Sequence, residues 1–140
     1  MLKFDRQGLI PVVIQDDATD QVLMVAFMNE EALLLTRETG YTHLYSRSRN
    51  RLWRKGEESG NVQEVCGIFV NCEENSLLLR VIQRGGAACH EGYKSCYYRR
   101  LLPDGSYQVL TQRVFDPSVV YRKEMPEPAG YQEEGTIGYE

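Results

Sequence analysis

The 140-residue sequence contains no apolar run that approaches the roughly 18 residues needed to cross a bilayer. Its amino terminus, MLKFDRQGLI, lacks the long apolar stretch and the small-residue cleavage site of a secretion signal. Cysteine is scarce, with four residues, and without export these thiols are expected to stay reduced in the cytoplasm. The sequence therefore argues against a disulfide framework and a membrane partner. It favours metal binding, catalysis or core packing as the uses of cysteine.

Positive charge is also in short supply, and it is unevenly placed. The formal net charge is −4, which argues against bulk nucleic-acid binding. Five of the 16 basic residues nevertheless lie in one short segment with no acidic residue among them: Arg47, Arg49, Arg51, Arg54 and Lys55. Solvated surfaces usually alternate in charge, so this segment is expected to bind an anion.

Apolar patterns predict a chain built mainly from short strands. The predicted strands are Leu9 to Gln15, Val22 to Met28, Tyr41 to Ser46, Val62 to Cys72, Ser76 to Arg84, Tyr97 to Leu102 and Tyr107 to Phe115. The first two are nearly continuous in apolar residues, so both are predicted to lie centrally in a sheet covered on both faces.

One helix is predicted after the second strand. Asn29 is suited to cap it, Glu30 and Glu31 fall in its first turn, and Gly40 follows its end. The segment from Arg47 to Gly60 has no apolar periodicity and is predicted to be a long ordered loop.

These elements predict an α+β fold, a small single domain of mainly antiparallel strands with one clear helix. Residues 1–116 are expected to form this domain. Residues 117–140 carry three of the five prolines and several glutamates, so they are predicted to be a C-terminal arm or tail.

Two of the cysteines fall on one predicted strand. Cys66 and Cys72 are about 20 Å apart if the strand is extended, so they cannot hold one ion within a chain. Cys66 shares a face with apolar residues and is predicted to be a buried structural thiol. Cys72 lies where the strand ends among polar residues, which favours a ligand there.

The other two cysteines form a C-x6-C pair. In a straight helix Cys89 and Cys96 would stand about 10 Å apart, but Gly92 permits the chain to fold back and bring them together. The spacing alone leaves two interpretations open, unrelated buried thiols or a metal site. His90, beside Cys89, is a candidate ligand or proton shuttle, whereas His43 is interpreted as an ordinary strand residue.

Two motifs resemble one known family. Residues 45–60 read YSRSRNRLWRKGEESG, which resembles the pattern W/Y-S-R-S-R-x-x-L-W-x-K-G-x-x-S-G of phosphoribosyl-AMP cyclohydrolases. Residues 88–99 read ACHEGYKSCYYR, which resembles that family's pattern A-C-H-x-G-x-x-S-C-F/Y-F/Y-R. The resemblance extends over about residues 5 to 101.

The resemblance implies a zinc-dependent enzyme of histidine biosynthesis that forms an intertwined homodimer. Its zinc sites lie at the subunit interface, and the matching ligands here are Cys72, Cys89 and Cys96. One of the three ligands is expected to come from the other chain.

The resemblance also implies a second site, which binds magnesium. The residues of that site are altered in this sequence. The family pattern D-C-D-x-D reads Asn71-Cys72-Glu73-Glu74-Asn75 here, so all three aspartates are replaced. Magnesium requires near-ideal octahedral oxygen geometry at about 2.0 to 2.1 Å. A magnesium site formed by Asn71, Glu73 and Asn75 is therefore predicted to be weak or absent.

The implied reaction is hydrolysis that opens the N1–C6 bond of the adenine in N1-(5-phosphoribosyl)-AMP, a small-molecule nucleotide. A zinc-bound water has a pKa near 7, and His90 is the predicted proton shuttle. Two substrate phosphates account for the basic segment, and Trp53 either stacks on a base or anchors the segment to the core. The predicted substrate-binding residues are Arg47, Ser48, Arg49, Arg51, Trp53, Lys55, Ser59 and Gly60.

Two other functions remain open at this point. Because the replaced aspartates would frame the reacting ring, a paralogous zinc hydrolase of the same fold, acting on another heterocycle, is the stronger rival. A zinc-stabilised nucleic-acid-binding module is the weaker one, given the net charge and the single basic segment.

Overall fold

A four-stranded sheet forms the centre of the molecule in the computed structural model, which describes residues 1–120. The elements in chain order are β1 (Ile10–Asp16), β2 (Val22–Met28), α1 (Glu30–Thr39), β3 (His43–Ser46), β4 (Arg51–Arg54), β5 (Gln63–Val70), β6 (Leu77–Gln83), β7 (Arg99–Leu101), β8 (Tyr107–Val109) and α2 (Pro117–Val120). The sheet order is β2-β1-β6-β5, with β1 and β6 parallel and the outer pairs antiparallel. The pairs β3–β4 and β7–β8 form separate two-stranded hairpins. The predicted α+β class, mostly antiparallel with one main helix, is confirmed.

The sheet buries alternate residues of its central strands. On β1, Ile10, Val12 and Ile14 are fully buried, and on β6 Leu79 and Val81 are as well. The prediction that the first two strands both lie centrally is right for β1 and wrong for β2, which is an edge strand of this sheet. Strand β2 is nevertheless rich in apolar residues because it also lies against β3. That contact covers its side chains although no further strand of the sheet pairs with it.

Helix α1 has the ends that its sequence predicts. The Ala32 backbone N–H donates to Asn29 Oδ1 at 2.8 Å, and Gly40 adopts a left-handed φ of 80° while its N–H donates to the Thr36 carbonyl. Among residues 1–120, no helix combines the length and the apolar character that a membrane crossing requires.

The prediction of a long loop from Arg47 to Gly60 is wrong, because this segment contains β4. The chain reverses at residues 47–50, where Asn50 has a left-handed φ of 55°, and Arg51 then pairs with Ser46. Strand β4 shows no apolar periodicity because Leu52 and Trp53, which are adjacent, both pack against the core.

The prediction that Cys66 is buried is also wrong, since its side chain is exposed. The pairing of β5 with β6 shifts register between Val65 and Gly67, so Cys66 lies in a β-bulge. A bulge adds one residue to a strand and breaks the simple alternation of faces from which the burial was predicted.

The end of the described chain carries little structure. Within residues 111–120 there is one short helix, α2, which begins at the predicted start of the C-terminal arm. The rest of the predicted arm, residues 121–140, lies outside the described residues.

Candidate active site

The loop after β6 brings two cysteines together. Gly92 has a left-handed φ of 99°, and its N–H donates to the Cys89 carbonyl at 2.9 Å, which turns the chain back. The Cys89 N–H in turn donates to the Tyr93 carbonyl at 3.1 Å. As a result the Cys89 and Cys96 side chains are hydrogen-bonded to each other. The predicted fold-back of the C-x6-C segment is confirmed.

Residues 89–96, which contain both cysteines, are called the cysteine loop. Contacts to β1 and β2 fix this loop on the sheet. The Cys96 N–H donates to the Leu23 carbonyl at 2.7 Å, and the Ser95 hydroxyl donates to the Val22 carbonyl at 2.7 Å. On the other side Lys94 forms an ion pair with Asp16, with Nζ 3.1 Å from Oδ2. The loop is therefore positioned by the strands and not only by its own turns.

The environment of Cys89 favours a thiolate. The hydrogen bond from the Cys96 thiol lowers the pKa of Cys89 to about 7, against the opposing effect of burial. The Glu91 N–H also points at the sulfur, with a distance of 3.4 Å from N to Sγ, and the Lys55 charge acts in the same direction. A thiolate is the form in which cysteine binds metal ions and acts as a nucleophile.

Lys55 lies with the two cysteines. It directly follows β4, its backbone N–H donates to the Thr42 carbonyl at 2.9 Å, and only 7% of the residue is exposed. Burial lowers the pKa of the ammonium group, and the nearby Cys96 and Cys89 sulfurs oppose that shift. Its cationic group is also 5.6 Å from the centre of the Trp53 ring. A positive charge in this position offsets thiolate charge at the site.

His90 is buried beside the same group of residues. Burial lowers its pKa to about 3, with smaller contributions from the positive charges of Lys55 and Arg49. At neutral pH the imidazole is therefore uncharged and has a lone pair that can accept a proton. With so low a pKa it is a weak base, chiefly because burial disfavours the charged imidazolium.

The arginines of the β3–β4 hairpin have different neighbours. The Arg47 guanidinium lies over the Phe27 ring at 4.0 Å, and Arg49 lies close enough to His90 to lower its pKa. Arg51 is instead paired with Glu57, with Nη2 2.7 Å from Oε2. The structure thus brings Arg49 and Lys55 to the cysteine loop and directs Arg51 to a carboxylate.

The predicted neutral donors are already engaged in local turns. The Ser48 and Ser46 hydroxyl oxygens are 3.4 Å apart, and the Ser59 hydroxyl accepts from the Asn61 N–H at 3.1 Å. The Gly60 N–H donates to the Gly56 carbonyl at 2.8 Å. Trp53 is half-buried and packs against the core, so it anchors the hairpin.

Cys72 does not reach the other two cysteines within one chain. It is exposed in the turn between β5 and β6, whereas Cys89 and Cys96 lie beyond the opposite end of β6. The seven residues of β6 span about 20 Å at the rise of an extended strand. Accordingly, within residues 1–120 no three His, Cys, Asp or Glu side chains converge in a way that could hold a metal ion.

Sequence patterns gave no indication of a buried polar group near the start of β5 and the end of β6. The Gln63 side chain is fully buried and donates to Gln83 Oε1 at 2.8 Å, and Gln83 donates to the Asn61 carbonyl at 2.9 Å. The Lys94–Asp16 ion pair was missed as well, because the two residues are far apart in sequence. Asp16 gives one signal, because it is a charged residue at the end of a largely apolar strand.

Comparison with known proteins gives one consistent result. The family model described as phosphoribosyl-AMP cyclohydrolase matches residues 24–98. A phosphoribosyl-AMP cyclohydrolase of Methanospirillum hungatei JF-1 is 56% identical over 122 residues, which cover 87% of this chain and 89% of that protein. The enzyme of the same name from Syntrophotalea carbinolica is 53% identical over 116 residues, covering 83% of this chain and 92% of the relative. One from Chlorobaculum tepidum is 50% identical over 123 residues, covering 88% and 89%.

Proposed function

We propose that this chain, which belongs to the phosphoribosyl-AMP cyclohydrolase family, opens the adenine ring of N1-(5-phosphoribosyl)-AMP by hydrolysis during histidine biosynthesis. The chain is accordingly a hydrolase that acts on a cyclic amidine. The observation that carries the proposal is the pair of hydrogen-bonded thiols, Cys89 buried and Cys96 partly buried, with Lys55 and His90 beside it, inside the segment that the family model matches. The four free thiols fit a reducing compartment, and we place the enzyme in the cytoplasm.

The reaction consumes one water molecule. For the N1–C6 bond to open, the oxygen of water adds to C6, and N1 then leaves C6 with the bonding electrons. The former C6 becomes a carboxamide carbon, and N1 receives a proton as part of an acyclic amidine. We assign to His90 the transfer of the proton from the attacking water, because it is the imidazole buried beside the thiol pair.

We assign the metal to zinc, held by Cys89 and Cys96 of one chain and Cys72 of a second copy. The donor set fits, since Cys89 has thiolate character and two thiols already converge. The third thiol is exposed and too distant in the same chain, which supports its donation across an interface. A bound zinc ion would supply a hydroxide nucleophile near neutral pH, because it lowers the pKa of water to about 7.

A homodimer with active sites at the interface also accounts for exposed apolar surface. Phe69 and Val70, close to Cys72, are about half exposed. The β7–β8 hairpin exposes Leu101, Tyr107 and Val109. An isolated two-stranded hairpin is marginally stable in water, so a second copy that covers it would stabilise both surfaces.

We assign the substrate phosphates to Arg49, Arg47 and Ser48. Arg49 is favoured for this role because its charge acts on His90, which lies at the proposed centre. Arg51 is a weaker candidate because Glu57 already neutralises it. The hairpin and the residues that follow it also contribute to the charge and shape of the site. These residues are Trp53, Lys55, Ser59 and Gly60.

The test is turnover of N1-(5-phosphoribosyl)-AMP by the zinc-loaded protein, followed by ultraviolet absorbance, with the product identified by mass as substrate plus one water. Cys89→Ser is expected to lose both zinc and activity, whereas the matched control Cys66→Ser retains them. Full zinc content in a Cys89→Ser, Cys96→Ser double variant would contradict the assigned site. Absence of turnover in the zinc-replete wild type would favour a paralogous hydrolase of another substrate.

A further inference from the structure

The turn between β5 and β6 is closed by one asparagine side chain. Asn71 Nδ2 donates to Asn75 Oδ1 at 2.6 Å. The backbone N–H groups of Asn75 and Ser76 both donate to Asn71 Oδ1, at 2.9 and 3.0 Å. A carbonyl oxygen has two lone pairs, so both acceptor positions of Asn71 Oδ1 are occupied within the turn.

Backbone contacts close the same turn. The Glu74 N–H donates to the Asn71 carbonyl at 3.0 Å, and Glu74 has a left-handed φ of 61°. The Glu74 carbonyl then accepts from the Lys3 N–H at 2.7 Å, which ties the turn to the amino-terminal segment. Cys72 lies inside this closed turn and its side chain is exposed.

A magnesium ion does not fit these residues. Magnesium needs oxygen ligands in near-octahedral geometry at about 2.0 to 2.1 Å. Asn71 Oδ1 could serve only by giving up two hydrogen bonds to backbone N–H groups, and Asn75 Oδ1 already accepts from Asn71. Glu73 is exposed and is the only carboxylate at the three altered positions.

We infer that Asn71 is a positioning residue that holds the Cys72 turn closed in place of a divalent cation. Two aspartates at positions 71 and 75 would bring two negative oxygens to the 2.6 Å separation at which the two amides now attract. Such a turn needs a cation, whereas the present one does not. The consequence for the metal site rests on the proposed role of Cys72 as the ligand contributed by a second copy.

Hydrogen exchange tests the turn directly. In magnesium-free buffer, the Asn75 and Ser76 amide protons of the wild type should exchange slowly by NMR, and added magnesium should leave their rates unchanged. Asn71→Ala should speed both rates by about tenfold or more, because both amides lose their acceptor. Glu73→Ala is the matched control and should not change them. Fast exchange in the wild type that magnesium slows, or unchanged rates in Asn71→Ala, would overturn the inference.

Cobalt(II) binding tests the consequence for Cys72. The thiolate-to-metal absorption of the cobalt-substituted protein reports how many cysteines bind. Asn71→Ala should weaken cobalt affinity about tenfold and lower this absorption, while Glu73→Ala behaves as the wild type. The double variant Asn71→Asp, Asn75→Asp should bind cobalt weakly without magnesium and recover when magnesium is added. Equal cobalt binding by the double variant with and without magnesium would contradict the inference that Asn71 takes the place of a cation.

The two measurements separate this inference from the proposed function. If Cys72→Ser retains the full cobalt absorption, the proposed ligand set fails. In that case the exchange rates of the wild type and of Asn71→Ala still decide whether Asn71 closes the turn.

Discussion

Replacing Gly92 by alanine should dismantle the cysteine loop through a clash that the backbone cannot relieve in place. Gly92 has a φ of 99°, and a Cβ atom added there would overlap the carbonyl oxygen of Phe115. The same glycine donates its N–H to the Cys89 carbonyl. Movement of residue 92 therefore displaces one of the two thiols.

Gly105 offers a matched control that separates the two causes of destabilisation. Its φ is 90°, close to that of Gly92, but an added Cβ would meet nothing within 4 Å. Gly105→Ala should cost about 1 to 3 kcal/mol, the range for a residue held in a sparsely populated backbone conformation. Gly92→Ala carries the same backbone cost, and its steric overlap should add about 1 to 3 kcal/mol, as overpacking does elsewhere.

The assay combines urea unfolding with zinc content. Gly92→Ala should lower the free energy of unfolding by more than Gly105→Ala, and it alone should lose zinc at equal total metal. If the loop detaches locally, the stability difference shrinks but the zinc loss remains. Equal stability of the two variants, with zinc retained in both, would refute the role assigned to the close approach at Gly92.

Three further predictions concern charge and assembly. Arg49→Ala should lower kcat/KM by an amount equivalent to about 1.5 to 3 kcal/mol of transition-state stabilisation, the range for hydrogen bonds to charged groups. Arg51→Ala should lower kcat/KM by less. Equal losses in steady-state kinetics would contradict the different placement of the two arginines. Removal of zinc by a chelator should lower Tm in a way that depends on protein concentration, because the proposed shared site would make metal binding and dimerisation interdependent. A monomer in light scattering that keeps its zinc would argue against the shared site. Asp16 has a pKa held below its ordinary 3.8, chiefly by a hydrogen bond from Thr19. Its contribution to stability is therefore complete above that value and is lost as the pH falls through the lower folded pKa, so Asp16→Asn should flatten the acid limb of stability measured by urea unfolding; an unchanged acid limb would show that other carboxylates dominate.

Local signals were sufficient to predict the helix and most of the strands. The cap at Asn29 and the stop at Gly40 act through their nearest neighbours, so the sequence contains all the information needed to place them. Strand β4 was missed because its packing depends on the core beneath the hairpin, and no periodicity of its own records that contact. Cys66 was placed wrongly because a bulge is a property of strand pairing, which one strand's pattern does not contain.

The candidate site was predicted in parts. The return of the chain at Gly92 followed from a local property of glycine, and the two cysteines do meet. The position of Lys55 could not be predicted, because its burial depends on how the β3–β4 hairpin lies against a loop more than thirty residues later. The assignment of Cys72 to the site stays a prediction that a second copy of the chain must complete.

The parallel pairing of β1 with β6 has a consequence for the order of folding. Each of these strands first has a local partner, β2 or β5, with which it can form a hairpin rapidly. The two hairpins must then join along β1 and β6, which lie about sixty residues apart in the chain, and this non-local step is the slow one. The cysteine loop follows β6 but is anchored to Leu23 and Asp16 of the first hairpin, so it completes only after the hairpins have joined. Metal uptake by a refolding chain would therefore follow sheet formation, and its rate would report the last step of folding.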